Sequence, residues 1–250
     1  MSHGDAAAYG AWFYESQQDG SARSAGRVLP LVFDLVRPAD VVDLGCGTGS
    51  WLRTARELGA EKILGVDGEW VDEEALRIPA ECFLRHDLGR PLRLDGGRFG
   101  LAMCVEVAEH LDPGRAESLV ADLCALSEVV LFSAAVPGQT GSDHRNEQWP
   151  NYWRDHFARW GYELVDCLRT RLWDDPEIEP WYAQNAFLYV SADRLAHDER
   201  LRTAAAETGR MPLCVVHPGL LALFSKPFAP AVPAPPVRRP APLRFVAPGR

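Results

Sequence analysis

The chain has 250 residues, 47% of them apolar and 24% charged, with a formal net charge of −9 at pH 7. That length supports one sizeable core, and the acidic balance disfavours nucleic acid, where Lys and Arg must neutralise phosphates. The six cysteines form no C-x-x-C pair, no basic segment leads into an apolar one near Met1, and no apolar run approaches the roughly 20 residues of a membrane span; the expectation is a cytoplasmic protein with no membrane partner.

Residues 1–40 combine small residues with Tyr9, Trp12, Phe13 and Tyr14, then become broadly helical from Ser21 to Arg37 despite Pro30. They are expected to form an N-terminal helical lid. From Val41 onward, short apolar or β-branched runs alternate with helical patterns, the sequence form of βα units around a parallel sheet. Strands are expected at Val41 to Leu44, Lys62 to Val66 ending on Asp67, Cys82 to His86 ending on Asp87, Leu101 to Val105, and Val129 to Phe132. Between them, Ser50 to Leu58 places Trp51, Leu52, Ala55 and Leu58 on one helical face before the stop at Gly59, and a later helix groups Leu119, Val120, Leu123 and Leu126.

A long polar loop, Gly138 to Glu147, precedes an aromatic-rich helix from about Pro150 to Trp160. Its Trp149, Trp153, Phe157 and Trp160 follow an i, i+4, i+8, i+11 stripe; Trp153, Phe157 and Trp160 are expected to be packed, and Trp149 and Tyr152 to wall either the core or an acceptor pocket. Two further β-like runs, Glu163 to Leu168 and Ala186 to Val190, are expected as neighbouring edge strands with possible antiparallel sense. The fold class is therefore α/β, a Rossmann-like seven-stranded mostly parallel sheet with helices on both faces. Residues 226–250 are rich in proline and alanine and hold no acid, which predicts an extended tail.

In an open α/β sheet, ligands bind beyond the carboxyl ends of the strands. Asp43, Asp67 and Asp87 all fall there. Gly45, Gly47 and Gly49 allow a tight turn and an approach unobstructed by Cβ atoms. The run Asp43-x-Gly45-x-Gly47-x-Gly49 resembles the first motif of class I S-adenosylmethionine-dependent methyltransferases; the third glycine of the dinucleotide fingerprint would fall at Ser50. Asp67, with Gly68 beside it, stands where a carboxylate accepts both ribose hydroxyl protons. Asp87 with Leu88 resembles that family's adenine site, and Val105 to Leu111, with Glu106, resembles the segment lining the methionine end of the donor. Phe132 to Gly138, His144 to Pro150 and Trp181-Tyr182-x-Gln184-Asn185 resemble a bacterial subgroup found near polysaccharide or secondary-metabolite genes, over roughly residues 9 to 192. The resemblance implies a catalytic domain over residues 41–225, S-adenosyl-L-methionine as cofactor and a small-molecule acceptor.

If the acceptor is an alcohol or phenol, its proton must leave near the transition state, and histidine is the natural base near neutrality. His144, in the polar loop, is the first candidate and His110 the second; a purely structural tie of His144 to Asn146 or Glu147 is the rival. His86 is expected to be structural and His156 to sit on a helix surface or core edge. Glu106, Glu109 and His110, with His144 closing a fourth position, also form an acid and histidine cluster resembling that of metal-dependent small-RNA 2′-O-methyltransferases; no metal is assigned, a divalent ion being the less favoured account. O-methylation of a sugar or natural-product intermediate leads, ahead of an RNA 2′-O-methyltransferase and a non-catalytic donor-binding module, and the sequence is compatible with a homodimer.

Overall fold

The computed structural model describes residues 3–224, with side chains from 20 to 223. Seven strands, Asp40–Leu44 (β1), Lys62–Asp67 (β2), Phe83–Arg85 (β3), Leu101–Val105 (β4), Val129–Ser133 (β5), Tyr162–Val165 (β6) and Phe187–Ser191 (β7), form one sheet in the order β3-β2-β1-β4-β5-β7-β6. Neighbours from β3 to β5 are parallel, and β7 runs antiparallel to both β5 and β6. The α-helices among the described residues are His3–Val36 (α1), Ser50–Glu57 (α2), Ala116–Leu126 (α3), Pro150–Arg159 (α4), Arg169–Leu172 (α5), Pro180–Asn185 (α6), Ala192–His197 (α7), Glu199–Ala205 (α8) and Pro218–Phe224 (α9).

Strand alternation divides the apolar residues into two cores, one on each face. Val41, Ile63, Leu101, Met103, Leu131 and Leu188 face α1 and α2, while Val42, Leu44, Val66, Ala102, Phe132 and Tyr189 face α3 and α4. Val28, Leu29 and Val32 of α1 are fully buried in the first core, and Trp51 Nε1 of α2 donates to Ser21 Oγ at 3.0 Å. In the second core, Phe157 stacks on Tyr189 at 3.8 Å between centroids. Helices therefore cover both faces, as the α/β pattern predicts.

Three local expectations need correction. The third strand is shorter than Cys82 to His86: Pro79 opens a 3-10 turn that takes Cys82, leaving only Phe83–Arg85 paired with β2. The run from Glu163 ends as a strand at Val165, and β7 is internal; only β6 lies at that edge. Trp160 is 51% exposed, because α4 stops at Arg159 and Gly161, at φ +73°, turns the chain away from the helical path. The side chains of Tyr9, Trp12, Phe13 and Tyr14, and the whole of the tail expected at 226–250, lie outside the described residues.

The chain runs from β1 outward to β3, then crosses to β4 and β5 on the other side. Such a reversal leaves a crevice at the carboxyl ends of β1 and β4. The glycine turn and the Glu106 turn flank it.

Candidate active site

Asp43 sits in β1 with only 3% exposure, one residue before the end of the strand. Burial, reinforced by the charge of Asp67, lifts its carboxyl from the ordinary 3.8 to about 7. Gly45, Gly47 and Gly49 then take positive φ values of 82°, 52° and 86°, and Gly49 caps α2. Two of them are also sterically required: a Cβ on Gly45 would lie 2.3 Å from Val107, and one on Gly49 would lie 2.9 Å from Ile78. A Cβ on Gly47 would meet nothing within 4 Å, so this glycine faces open space.

Asp67 closes β2 and is 6% exposed. One of its oxygens accepts from Gly47 N and the other from Gly68 N, each at 2.7 Å. Burial raises its pKa, and these two amide bonds oppose the rise. The carboxylate thereby ties the glycine turn to the end of β2 while keeping lone pairs for further donors. Trp70 is 74% exposed and lies against Gly68, where an added Cβ would come within 2.2 Å of the indole.

Asp87 and Leu88 follow β3. The Asp87 side chain is exposed, its Oδ1 accepts from Gly89 N at 2.9 Å, and Leu88 is buried. The buried guanidinium of Arg115 holds this turn in place: it donates to Leu88 O at 2.9 Å and Arg90 O at 3.0 Å and pairs with Asp122. His86 Nε2 lies 3.3 Å from Arg90 O, a local tie in keeping with a structural role.

Beyond β4, Glu106 adopts φ +54°, a strained value for a residue with a side chain. Its backbone N–H donates to Ser133 O and Oγ, both at 3.0 Å, which joins the ends of β4 and β5. Its carboxylate accepts from Gln139 Nε2 at 2.8 Å and Asn185 Nδ2 at 3.2 Å, and Asn185 Nδ2 also donates to Gln139 Oε1 at 2.9 Å. Burial raises the Glu106 pKa against these bonds. Gln139 and Asn185 had no assigned role in the sequence; the polar loop and the Trp181 to Asn185 motif were its only signals.

Glu109 is 1% exposed, and burial, then the charge of Glu106, hold its carboxyl well above the usual range. The Glu109 carbonyl accepts from Arg145 N at 2.7 Å and Asn146 N at 2.9 Å, which draws the 138–147 loop onto this turn. His110 and His144 consequently meet edge to face, with centroids 4.8 Å apart. His144 Nδ1 lies 2.8 Å from Glu147 Oε1, so the expected tie to Glu147 exists and occupies one ring nitrogen. Part of the His110 ring is buried, and this, together with the charge of His144, lowers its pKa.

The sequence-predicted residues thus gather at the carboxyl edge: Asp43, the three glycines, Asp67 with Gly68, Glu106, His110 and His144 around the crevice, and Asp87 with Leu88 toward β3. His156 lies on α4 against Tyr152, with ring centroids 4.6 Å apart, and takes no part. A cavity of about 480 Å³ beside β6, lined by Arg154, Tyr162, Glu163, Asp166 and Thr208, contains none of these groups. Carboxylates dominate the crevice, which suits a ligand bearing hydroxyl groups and positive charge; its glycines leave room for such a ligand.

The sequence matches the methyltransferase-domain family over residues 14–170. No curated protein matches it. Among solved structures, the chain resembles DesVI of Streptomyces venezuelae at TM-score 0.54 and 15% identity, covering 77% of this chain and 99% of that one. It also resembles magnesium protoporphyrin IX methyltransferase of Synechocystis PCC 6803 with bound S-adenosylmethionine, at TM-score 0.50 and 19% identity over 70% and 83% of the two chains. The methyltransferase domain of bacterial CtHen1 gives TM-score 0.50 and 19% identity over 68% and 97%. These likenesses establish the shared fold. The family match spans more than half of the 250 residues, so the chain belongs to the methyltransferase-domain family and is an S-adenosylmethionine-dependent methyltransferase.

Proposed function

We propose that the enzyme methylates a hydroxyl group of a small molecule, a sugar or natural-product intermediate, and that the hydroxyl is activated at the His110–His144 pair. The observation that carries this reading is the meeting of the two imidazoles, 4.8 Å apart, at the crevice that also holds the glycine turn. Bound S-adenosylmethionine supplies a methyl group on a sulfonium centre, open to in-line attack. An oxygen acceptor sheds its proton near the transition state, and imidazoles suit that task near neutrality. His144 leads and His110 is second. Glu147 fixes the His144 ring through Nδ1 and leaves Nε2 for the acceptor side.

On the donor side, Asp67 keeps acceptor capacity beyond its bonds from the Gly47 and Gly68 amides and the Trp70 indole and accepts the ribose hydroxyls, with Trp70 giving way. Gly45, Gly47 and Gly49 admit the donor to the backbone, with Asp43 beneath the turn and Gly68 beside the ribose. Asp87 accepts from the adenine amine, the Leu88 amide meets the ring, and Glu106 attracts the ammonium end. The net charge of −9 supports a small acceptor over RNA. In this reading the 1–40 lid is anchored to the 41–225 catalytic domain through the buried Val28, Leu29 and Val32, and the six free cysteines support a reducing cytoplasm.

Radiolabelled donor, offered with hydroxylated small molecules and with RNA in parallel, tests the acceptor class. Label in a small molecule is expected; label only in RNA overturns the reading. His144→Ala should lower turnover by about 100-fold or more, the range for loss of acid–base assistance, while S-adenosylhomocysteine binding stays unchanged. Full turnover by that variant removes His144 as the base.

A further inference from the structure

We propose that the Trp70 indole stands in the place of the donor's ribose in the ligand-free enzyme, and that donor binding is an exchange in which two ribose hydroxyls displace it. Trp70 thereby sets the affinity for the donor. The inference rests on the reading of Asp67 as the ribose-binding carboxylate.

Trp70 follows Asp67 by three residues and folds back over Gly68. A Cβ on Gly68 would come within 2.2 Å of Cη2 and Cζ3 of the indole and 2.5 Å of Cε3. These are atoms of a rigid ring, so only glycine at this position lets the indole lie so close to the carboxylate. The indole N–H is turned to Asp67 as a hydrogen-bond donor and favours its charged form. The side chain is nevertheless 74% exposed, so it gives up little packing when it leaves.

The acceptor count forces the exchange. A carboxylate offers about four acceptor positions. The Gly47 and Gly68 amides take two, each at 2.7 Å, and the indole takes a third. A ribose diol needs two, so the count closes only when the indole departs. Asp67 is just 6% exposed with the ring in place, so the hydroxyls do not simply add beside it.

The backbone that carries Trp70 is held still. Arg85 Nη1 donates to the carbonyls on either side of it, Glu69 O at 3.2 Å and Val71 O at 3.5 Å, and Arg85 Nε donates to Glu73 at 2.9 Å. Val71 N donates to Gly68 O at 3.3 Å. The movement is therefore a change of side-chain rotamer, with the loop left where it is. A donor that binds only the open rotamer has its affinity reduced by the fraction of molecules in which the indole is already out.

The test is S-adenosylhomocysteine binding to the full-length protein, by calorimetry and by fluorescence. Trp70→Phe keeps an aromatic ring but has no N–H for Asp67, and the fold should tolerate it because the side chain is exposed. The variant should bind about 10-fold more tightly than wild type. Trp70 emission, taken as wild type minus variant, should change on saturation as the indole moves, whereas Trp160→Phe, at the exposed indole after α4, should leave affinity unchanged. A Trp70→Phe affinity equal to or below that of wild type, as for an indole that forms a permanent wall of the site, overturns the proposal. Trp70 emission indifferent to the ligand does the same. The 2′,3′-dideoxy analogue of the ligand separates this proposal from the reading beneath it. If wild type binds the analogue as tightly as the parent, the ribose reading of Asp67 fails and the exchange with it; if the analogue is weaker and Trp70→Phe gains nothing, the exchange alone fails.

Discussion

Asp43 is under electrostatic strain that a single substitution relieves. Its carboxyl is 3% exposed and is lifted from 3.8 to about 7 by burial and by Asp67. At 1.36 kcal/mol per pKa unit, that rise corresponds to about 4 kcal/mol of destabilisation once the group is ionised. The sign follows from linkage: between the two values the unfolded chain has released a proton that the folded chain still holds, so stability falls as pH rises from about 4 to about 7 and then levels. Asp43→Asn has nothing to ionise. Urea denaturation of ligand-free protein at pH 5, 7 and 9 should show a steeper decline in stability over the first interval for the wild type than for the variant, which keeps only the part owed to Asp67, Glu106 and Glu109, with a gain for the variant at pH 9 approaching the same figure. Equal pH dependence in both proteins would refute the reasoning. Donor binding should weaken in the variant, since the charge beneath the turn is gone.

Gly45→Ala should cost both stability and donor binding, because its Cβ would collide with Val107 and displace the Glu106 turn; Gly47→Ala should keep the fold, at about 1–2 kcal/mol of backbone strain, yet weaken S-adenosylhomocysteine in calorimetry by filling open space. Asn185→Ala removes a donor shared by Glu106 and Gln139 and should weaken donor affinity by roughly 10-fold, a bond to a charged group being worth about 1.5–3 kcal/mol. Tyr189→Phe deletes a fully buried hydroxyl that has no partner while keeping the stack on Phe157, so thermal denaturation should show an increase of about 1 kcal/mol or more. A lower melting temperature would mean that the hydroxyl is satisfied after all.

Most of the fold was legible because its signals are local. β1, β2, β4 and β5 are short apolar runs next to helices with one apolar face, and the positive-φ glycines between β1 and α2 follow directly from residue type. The structure separates the last two strands: Phe187–Ser191 is buried at every residue, as an internal strand is, whereas Tyr162–Val165 carries exposed Glu163 at the edge. Strand order itself leaves no trace in one sequence, which is why both runs read as edges. Trp160 was misjudged because extrapolating a helical stripe assumes that the helix continues, and Gly161 ends it.

The site divides along the same line. Asp43, Asp67 and the glycines lie close in sequence or one βα unit apart, and their spacing carries the information. Gln139 reaches Glu106 across 33 positions, and Asn185 across 79. No pattern in the chain specifies those meetings; they follow from β7 lying beside β5, which brings the preceding α6 to the crevice.

The strained turn at Glu106 couples the glycine turn to the imidazole pair, the two halves of the crevice proposed for donor and acceptor. A positive φ on a side-chain-bearing residue costs about 1–2 kcal/mol, and here it sends successive side chains in opposed directions. Glu106 turns back to Gln139 and Asn185, Val107 fills the space left by Gly45, and Glu109 and His110 reach the 138–147 loop. The backbone bonds to Ser133 and the two amide donors offset the strain. Straightening the turn would move Val107 off the glycine loop and Glu109 off the His144 loop at the same time. The geometry of the glycine turn proposed for the methyl donor and the geometry that brings the two imidazoles together therefore rest on the same five residues, Glu106 to His110.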